Sequence, residues 1–346
     1  MTREDPASPT VVRAPNHLGD LVMALPALAA AGGADVQVVR WLAPLLEMVR
    51  QEDGTGVRRV LPLDRGSRGT LDAARELRRL RYARGILLTP SFSSALLFRL
   101  GGVRHRRGTP TDSRGPLLTD RVVLPSARVH RAALYAALVS GELPGRPPVP
   151  RLHVPAREAS RWRELAGRAD GPLVGVFPGS NAPSRRWDAD RYAALVRRLD
   201  RRGVRVAVFG SPSERALTAE VAGGRALDLG GRTDLPLLAA GLAECALLVT
   251  NDSGPMHLAA AVGTPTLSLQ GPGDPAVTRP LGDGQHMVRA GDLPCISCVR
   301  NVCPRSGPGY VLPDAHRECM RLIEVADVEA VVCARLPAGR APARSP

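Results

Sequence analysis

The sequence predicts an α/β protein of two doubly wound domains of similar size. Three observations carry that expectation. Short apolar segments alternate with amphipathic ones along nearly the whole chain, which is the pattern of βα units and a parallel sheet. The 346 residues exceed the roughly 100 to 200 that one domain usually spans. Between Pro144 and Pro155, five prolines fall in twelve residues. Proline is excluded from helix interiors and central strands, so a linker is expected there. The expected division is residues 1–150, residues 151–335 and a Pro/Ala/Arg-rich disordered tail, 336–346.

In the first half, apolar runs read as strands at Thr10 to Ala14, Val36 to Arg40, Arg59 to Leu63, Gly85 to Thr89 and Val103 to Gly108. Helical spacing of apolar residues fills the gaps: Leu18 to Ala31, Leu42 to Gln51, Thr70 to Tyr82, Ser91 to Leu100 and Val129 to Ser140. The second half repeats the logic. Its strands are expected at Leu173 to Phe177, Val204 to Phe209, Ala226 to Leu229, Ala246 to Thr250 and Thr266 to Leu269. Its helices are expected at Asp188 to Arg202, Ser213 to Ala222, Pro236 to Glu244, Pro255 to Val262 and, last, near Asp314 to Val332. In such folds ligands bind at the carboxyl ends of the strands, so a cleft between two facing sheets is expected to hold the site.

Composition narrows the function. With 44% hydrophobic and 23% charged residues the chain is globular. No run approaches the 18 apolar residues of a spanning helix, and Met1 to Pro9 has no apolar signal core, so a cytoplasmic protein is expected. Lys and Arg total 47 against 33 acids, and every one of the 47 is Arg. The first 160 residues are the more positive half, which favours anionic partners such as phosphorylated glycans or membrane head groups. Only 11 residues are aromatic, and they are scattered, so nucleic acid is not an expected partner.

Three loops that follow strands carry the chemistry. Arg13-Ala14-Pro15-Asn16-His17-Leu18-Gly19-Asp20 places an acid in a first helical turn. Asp20 suits a catalytic carboxylate, and it equally suits the positive end of a helix. Asn16 and His17 either meet a substrate or satisfy a turn. Phe177-Pro178-Gly179-Ser180-Asn181-Ala182-Pro183-Ser184-Arg185-Arg186-Trp187 has small residues that let a ligand approach. The hydroxyls of Ser180 and Ser184 and the fork of Arg185 or Arg186 suit phosphate oxygens. The alternative is a polar loop whose Trp187 staples the next helix to the sheet. In Thr250-Asn251-Asp252-Ser253-Gly254-Pro255-Met256-His257 a buried strand runs into a helix with Pro near its first position. Its free amides and partial positive charge suit a diphosphate, although Asp252 and Ser253 also serve as simple caps.

Two further patterns need weighing. Gly271-Pro272-Gly273-Asp274-Pro275-Ala276 fits a dinucleotide fingerprint, but it follows the last strands of a domain and its prolines stiffen the turn, so it reads as coincidence. Cys295, Cys298, Cys303 and Cys319 approach a four-thiolate zinc spacing, with a redox pair or plain thiols as the alternatives.

Taken together and in this order, the three loops resemble glycosyltransferase family nine, the bacterial heptosyltransferases of lipopolysaccharide inner-core assembly. The Gln270-Gly271-Pro272 turn and the Cys-rich segment look like the heptosyltransferase II branch, and the similarity runs from about residue 10 to 334. The resemblance implies the GT-B fold, two Rossmann-like domains facing a central cleft. The first would bind the acceptor and the second the nucleotide sugar, and the last helix is allowed to cross to the first domain. It also implies inverting transfer of a heptose or related sugar from an ADP-sugar, with no cofactor needed for catalysis and structural zinc left open. Asp20 would be the general base. Ser180, Arg185, Arg186, Asp252, Ser253, Gly254 and His257 would hold the donor. Asn16, His17, Arg104 and Arg106 would face an anionic glycan or glycolipid acceptor, with the inner face of the membrane as a peripheral surface. Where Lys often stands in the family, this chain has Arg185 or Arg186. The rival expectations are a non-catalytic nucleotide-binding protein of the same fold and a transferase acting on a natural product.

Overall fold

A computed structural model describes residues 9–53, 56–125, 128–167, 171–291, 293–304 and 317–336. The expected tail, from residue 337 on, and the expected start of the last helix at 314–316 lie outside the described residues. The chain divides into two compact units, Met1–His153 and Val154–Pro346.

The first unit runs β1 (Thr10–Arg13), α1 (Leu18–Ala30), β2 (Ala34–Val39), a 3-10 turn (Arg40–Leu42), α2 (Ala43–Asp53), β3 (Val57–Leu63), α3 (Gly66–Leu80), β4 (Arg84–Leu87), α4 (Phe92–Leu100), β5 (His105–Gly108), β6 (Asp120–Arg121) and α5 (Arg131–Ser140). Its sheet has the order β3-β2-β1-β4-β5-β6, parallel throughout. Apolar side chains of β1, β3 and β4 pack under α3 and α4, around Val11, Leu61, Leu77, Leu87, Phe98 and Val103. Burial of such side chains at roughly 1.5–3 kcal/mol each holds the layers together. Two helix starts are capped by their own side chains: Ser91 accepts from the Ser94 amide, and His130 Nδ1 accepts from the Ala132 amide at 3.2 Å. The two-residue β6 is too short and too polar to be read from its sequence.

The second unit opens with α6 (Ala156–Ala166), directly after the proline-rich stretch. Then come β7 (Leu173–Phe177), α7 (Ala189–Arg201), β8 (Arg205–Gly210), α8 (Arg215–Ala222), β9 (Leu227–Gly230), α9 (Leu235–Ala243), β10 (Leu247–Asn251), α10 (Gly254–Ala261), β11 (Thr266–Gln270), α11 (Pro275–Thr278), β12 (Gln285–Arg289), α12 (Glu318–Arg321) and α13 (Val325–Arg335). The sheet order is β12-β11-β10-β7-β8-β9, again parallel. β10 and β11 are buried at every position, as expected of strands covered on both faces. The order reverses between β7 and β10, and these two adjacent strands lead into the two loops expected to bind donor. This is the switch point at which doubly wound sheets bind ligands.

The last expected helix is two helices. Glu324 stands at the N-cap of α13, where the chain re-enters helix after α12. α13 packs on α7 of its own unit, with Val328 and Val332 in the core and Glu329 receiving Arg198 at 2.9 Å and Arg202 at 2.8 Å. No helix among the described residues is long and apolar enough to cross a membrane.

Candidate active site

In the first unit the relevant loop leaves β1 and enters α1. Arg13, almost fully buried, donates from NH1 to the Ala14 carbonyl at 2.6 Å and from NH2 to Asn16 Oδ1. Burial pulls its pKa down to about 10. The Asn16 carbonyl oxygen is therefore committed to holding the turn, which is the structural of its two readings. His17 is exposed at the N-cap of α1 and makes no side-chain cap bond.

Asp20 follows in the first turn of α1, its side chain 15% exposed. Arg131, the first residue of α5, donates from NH1 to Asp20 Oδ1 at 2.7 Å. One turn further along α5, Tyr135 is buried beside them. Its pKa is raised first by burial, then by the charge and hydrogen bond of Asp20. The carboxylate is thus oriented by a cation and faced by a neutral phenol. Arg131 and Tyr135 were not among the expected site residues: they lie more than a hundred residues from Asp20, and no spacing announces them.

Two expected acceptor residues move out of the site. Arg106 is buried, and its guanidinium donates to the carbonyls of Leu117, Val103 and Arg104 at 2.6, 2.5 and 2.9 Å. It braces the loop before β6, and burial lowers its pKa. Arg104 is exposed but precedes β5, at the amino edge of a parallel sheet whose carboxyl edge carries Asp20.

In the second unit, Asn251 bolts two loops together at the end of β10. Its Oδ1 accepts from the Trp187 amide at 2.9 Å and the Tyr192 hydroxyl at 3.1 Å, and its Nδ2 donates to the Pro178 carbonyl at 2.7 Å. Trp187 is buried, packs edge-on against Tyr192 of α7 with ring centres 4.9 Å apart, and so pins the following helix, while its Nε1 donates to the Ile323 carbonyl at 3.0 Å. Within the loop so anchored, the Ser180 hydroxyl accepts from the Ala182 amide at 3.3 Å and keeps its own proton to donate.

The geometry separates the two arginines. Arg186 Nε donates to the Ser180 carbonyl at 2.8 Å and shapes the loop from within. Arg185 instead reaches the other loop, with NH1 3.2 Å from Asp252 Oδ2. Its Nε is buried and makes no hydrogen bond. Beside this pair, Ser253 stands at the N-cap of α10 in extended conformation and its side chain makes no cap bond. Gly254 is the first helical residue, Pro255 follows, and His257 is buried one turn in. An uncapped helix start beside an arginine fork is equipped to hold a phosphate. Ser184, by contrast, is spent. Its hydroxyl donates to the Arg300 carbonyl at 2.6 Å.

Two glycines explain how closely the loops press. A Cβ on Gly273 would lie 2.0 Å from Asp252 Oδ2, and one on Gly179 would lie 1.9 Å from Glu214 Oε1. The Gly-Pro-Gly turn therefore closes on the Asp252 carboxylate. Glu214, whose Oε2 accepts from the amide and hydroxyl of Ser211 at 2.8 and 2.7 Å, presents its carboxyl group under the Ser180 loop. It too was missed, because Ser211-Pro212-Ser213-Glu214 reads simply as a capping box.

The four grouped cysteines come together. Cys295, Cys298, Cys303 and Cys319 line one cavity with Ser184, Pro272 and Arg317. Burial first, then the other three thiols, push Cys319 up to about 11. Among the described residues, however, no three His, Cys, Asp or Glu side chains stand in an arrangement that holds a metal ion. What the segment visibly does is brace the donor loop. The Ser184 amide donates to the Asn301 carbonyl at 3.1 Å, and Arg317 donates to the Arg186 carbonyl at 2.7 Å and to Asp188 Oδ1 at 2.6 Å.

Comparison with known proteins adds to this geometry. Residues 70–307 match the family described as glycosyltransferase family 9 (heptosyltransferase). Lipopolysaccharide heptosyltransferase 2 of Escherichia coli K12 is 30% identical over 321 residues, covering 82% of this chain and 90% of that protein. Lipooligosaccharide heptosyltransferase 2 of Haemophilus influenzae is 30% identical over 278 residues, 74% of this chain and 79% of that protein. The solved structure of E. coli ADP-heptose lps heptosyltransferase II superposes with a TM-score of 0.78 at 27% identity, covering 94% of this chain and 98% of that one. E. coli heptosyltransferase WaaC with ADP, at 18% identity and a TM-score of 0.68, shares the fold.

Proposed function

The chain belongs to glycosyltransferase family 9, and from that premise we propose that it transfers a heptose from ADP-heptose to a lipopolysaccharide core acceptor, with inversion and without a metal ion. The observation that carries the proposal is the meeting of Arg185 with Asp252 beside the uncapped start of α10.

In this reading the donor diphosphate lies on the amides of Ser253 and Gly254, with the Arg185 fork and the Ser180 hydroxyl on its oxygens. Asp252 fixes Arg185 and offers its carboxylate to a sugar hydroxyl. Glu214, under the same loop, suits a ribose hydroxyl, as an acid after a neighbouring strand does in other nucleotide-binding sheets. An acceptor hydroxyl attacks the anomeric carbon, Asp20 takes its proton, and the bond to the diphosphate breaks so that ADP leaves. Proton removal by a positioned base contributes on the order of 10² to 10⁴ in rate. The helix start and Arg185 stabilise the charge that grows on the leaving group.

The positive balance of the first 160 residues suits an anionic acceptor presented at the inner face of a membrane. Zinc has no part in the transfer step. A structural zinc among Cys295, Cys298, Cys303 and Cys319 would require the thiols that line this cavity to close to metal-bonding distance, and metal analysis of the purified, reduced protein tests it.

The experiment for the main reading is Asp20→Asn, assayed by ADP release from ADP-heptose with a lipopolysaccharide core acceptor, alongside calorimetry with ADP. Transfer is expected to vanish while ADP affinity stays within about twofold. An active variant refutes the base assignment, and a wild-type protein that binds ADP without turnover refutes the transferase reading.

A further inference from the structure

Eight of the ten aromatic side chains among the described residues are buried. The two exceptions are Trp41, 45% exposed, and Phe92, 42% exposed. They are not scattered. Trp41 sits in the turn that follows β2, and Phe92 opens α4 after β4. β2 and β4 are the two strands hydrogen-bonded to either side of β1, whose carboxyl end leads through Asn16 and His17 to Asp20. Parallel neighbours stand about 5 Å apart, so the strands carrying the two rings are separated by roughly 10 Å, with the Asp20 loop between them.

Both rings are carried on fastened backbone. Arg40, beside Trp41, makes a two-pronged bond to Asp64 at 2.5 and 2.7 Å. The Phe92 amide donates to Asp112 Oδ2 at 2.6 Å, and Ser91 caps the helix. What distinguishes the two rings from other exposed apolar side chains is their place, at the edge of the sheet where chemistry is expected. Aromatic faces in ligand sites pack on the apolar faces of ligands while polar groups nearby fix orientation. Beside the rings stand hydrogen-bonding side chains, the Arg40–Asp64 pair and Asp112, which suit the hydroxyls of a sugar ring.

We propose that Trp41 and Phe92 form the acceptor platform, on which a sugar ring of the acceptor packs so that its hydroxyl meets Asp20. The inference rests on the transferase reading and adds the residues that recognise the acceptor.

The test uses the full chain with ADP-heptose and a deacylated lipopolysaccharide inner-core oligosaccharide. Trp41→Ala is expected to raise the acceptor KM about 3- to 10-fold, the worth of one aromatic packing contact. Donor KM and kcat stay within about twofold, Phe92→Ala acts the same way, and Trp41→Tyr restores the acceptor KM. Because Trp162 and Trp187 are buried, the oligosaccharide should shift the tryptophan emission of the wild type but not of Trp41→Tyr. An unchanged acceptor KM in Trp41→Ala overturns the proposal. So does binding of wild type to phosphatidylglycerol and phosphatidylethanolamine vesicles that Trp41→Ala abolishes without altering the soluble acceptor's KM, which would make the rings a membrane contact. A wild type that binds ADP yet transfers to no such acceptor overturns the transferase reading, and this inference with it.

Discussion

Arg131 donates to Asp20 across 2.7 Å and so joins the start of α5 to the first turn of α1. The pair gives the carboxylate one orientation. In the proposed transfer the base must hold its oxygen within hydrogen-bond reach of the acceptor hydroxyl, and there Arg131 would act through Asp20 as a positioning residue.

Removing that contact should slow chemistry without touching the donor. Arg131→Ala is expected to lower kcat about 10²-fold, the scale of a misplacement near 1 Å, with ADP affinity unchanged by calorimetry. Arg131→Lys, which keeps a single donor, should recover part of the loss. Equal losses of kcat and ADP binding would contradict the assignment.

The two adjacent arginines should separate cleanly. Arg185→Ala is expected to weaken ADP binding by roughly 10- to 100-fold, the value of a charge-assisted hydrogen bond at about 1.5–3 kcal/mol. Arg186→Ala should act mainly on thermal stability, because its bond to the Ser180 carbonyl is internal to the loop. Calorimetry and melting curves on the two variants decide it.

Gly273→Ala should also cost donor affinity. The added methyl group would meet the Asp252 carboxylate at 2.0 Å, so Asp252 must shift and loosen its hold on Arg185. The expected outcome is weaker ADP binding with only a small change in melting temperature.

Arg106→Ala should leave the acceptor KM unchanged and destabilise the first unit. Three carbonyls lose their shared donor, a cost of about 2 kcal/mol, or roughly 4–8 °C in melting temperature for a unit of this size. An acceptor defect without a stability defect would return Arg106 to the site.

Cys319 should resist alkylation. Its thiol is pushed up to about 11 from the usual 9.0, so between those values the folded chain holds a proton that the unfolded chain releases. Stability from this group is complete below pH 9 and falls as pH rises toward 11. Iodoacetamide labelling followed by mass spectrometry should show half-maximal reactivity near pH 11, and a midpoint below 8.5 would point to a cation at the thiols.

Much of this protein is legible in one dimension. Each α/β unit repeats a strand, a loop and a helix, and the periods of apolar residues in those elements are local, so the strand and helix positions and the three loops stand out in the sequence. The loops that carry Asp20, Ser180 and Asp252 and the start of α10 could be placed because strand ends and first helical turns are themselves local features. Where a side chain on those loops points is a different matter, since neighbours distant in sequence decide it. Arg185 and Arg186 are chemically identical in the sequence, and only packing against β10 sends one to Asp252 and the other back to Ser180. Arg106 looked like an exposed cation until three carbonyls enclosed it. Arg131 and Tyr135 became part of the Asp20 environment only when α5 folded onto α1, and Trp41 and Phe92 came to flank β1 only through the strand order of the sheet. Composition and periodicity settled the architecture because burial acts on every turn and strand separately. The partners of each polar group awaited the tertiary structure, because a hydrogen bond depends on direction and distance, which no spacing along the chain encodes.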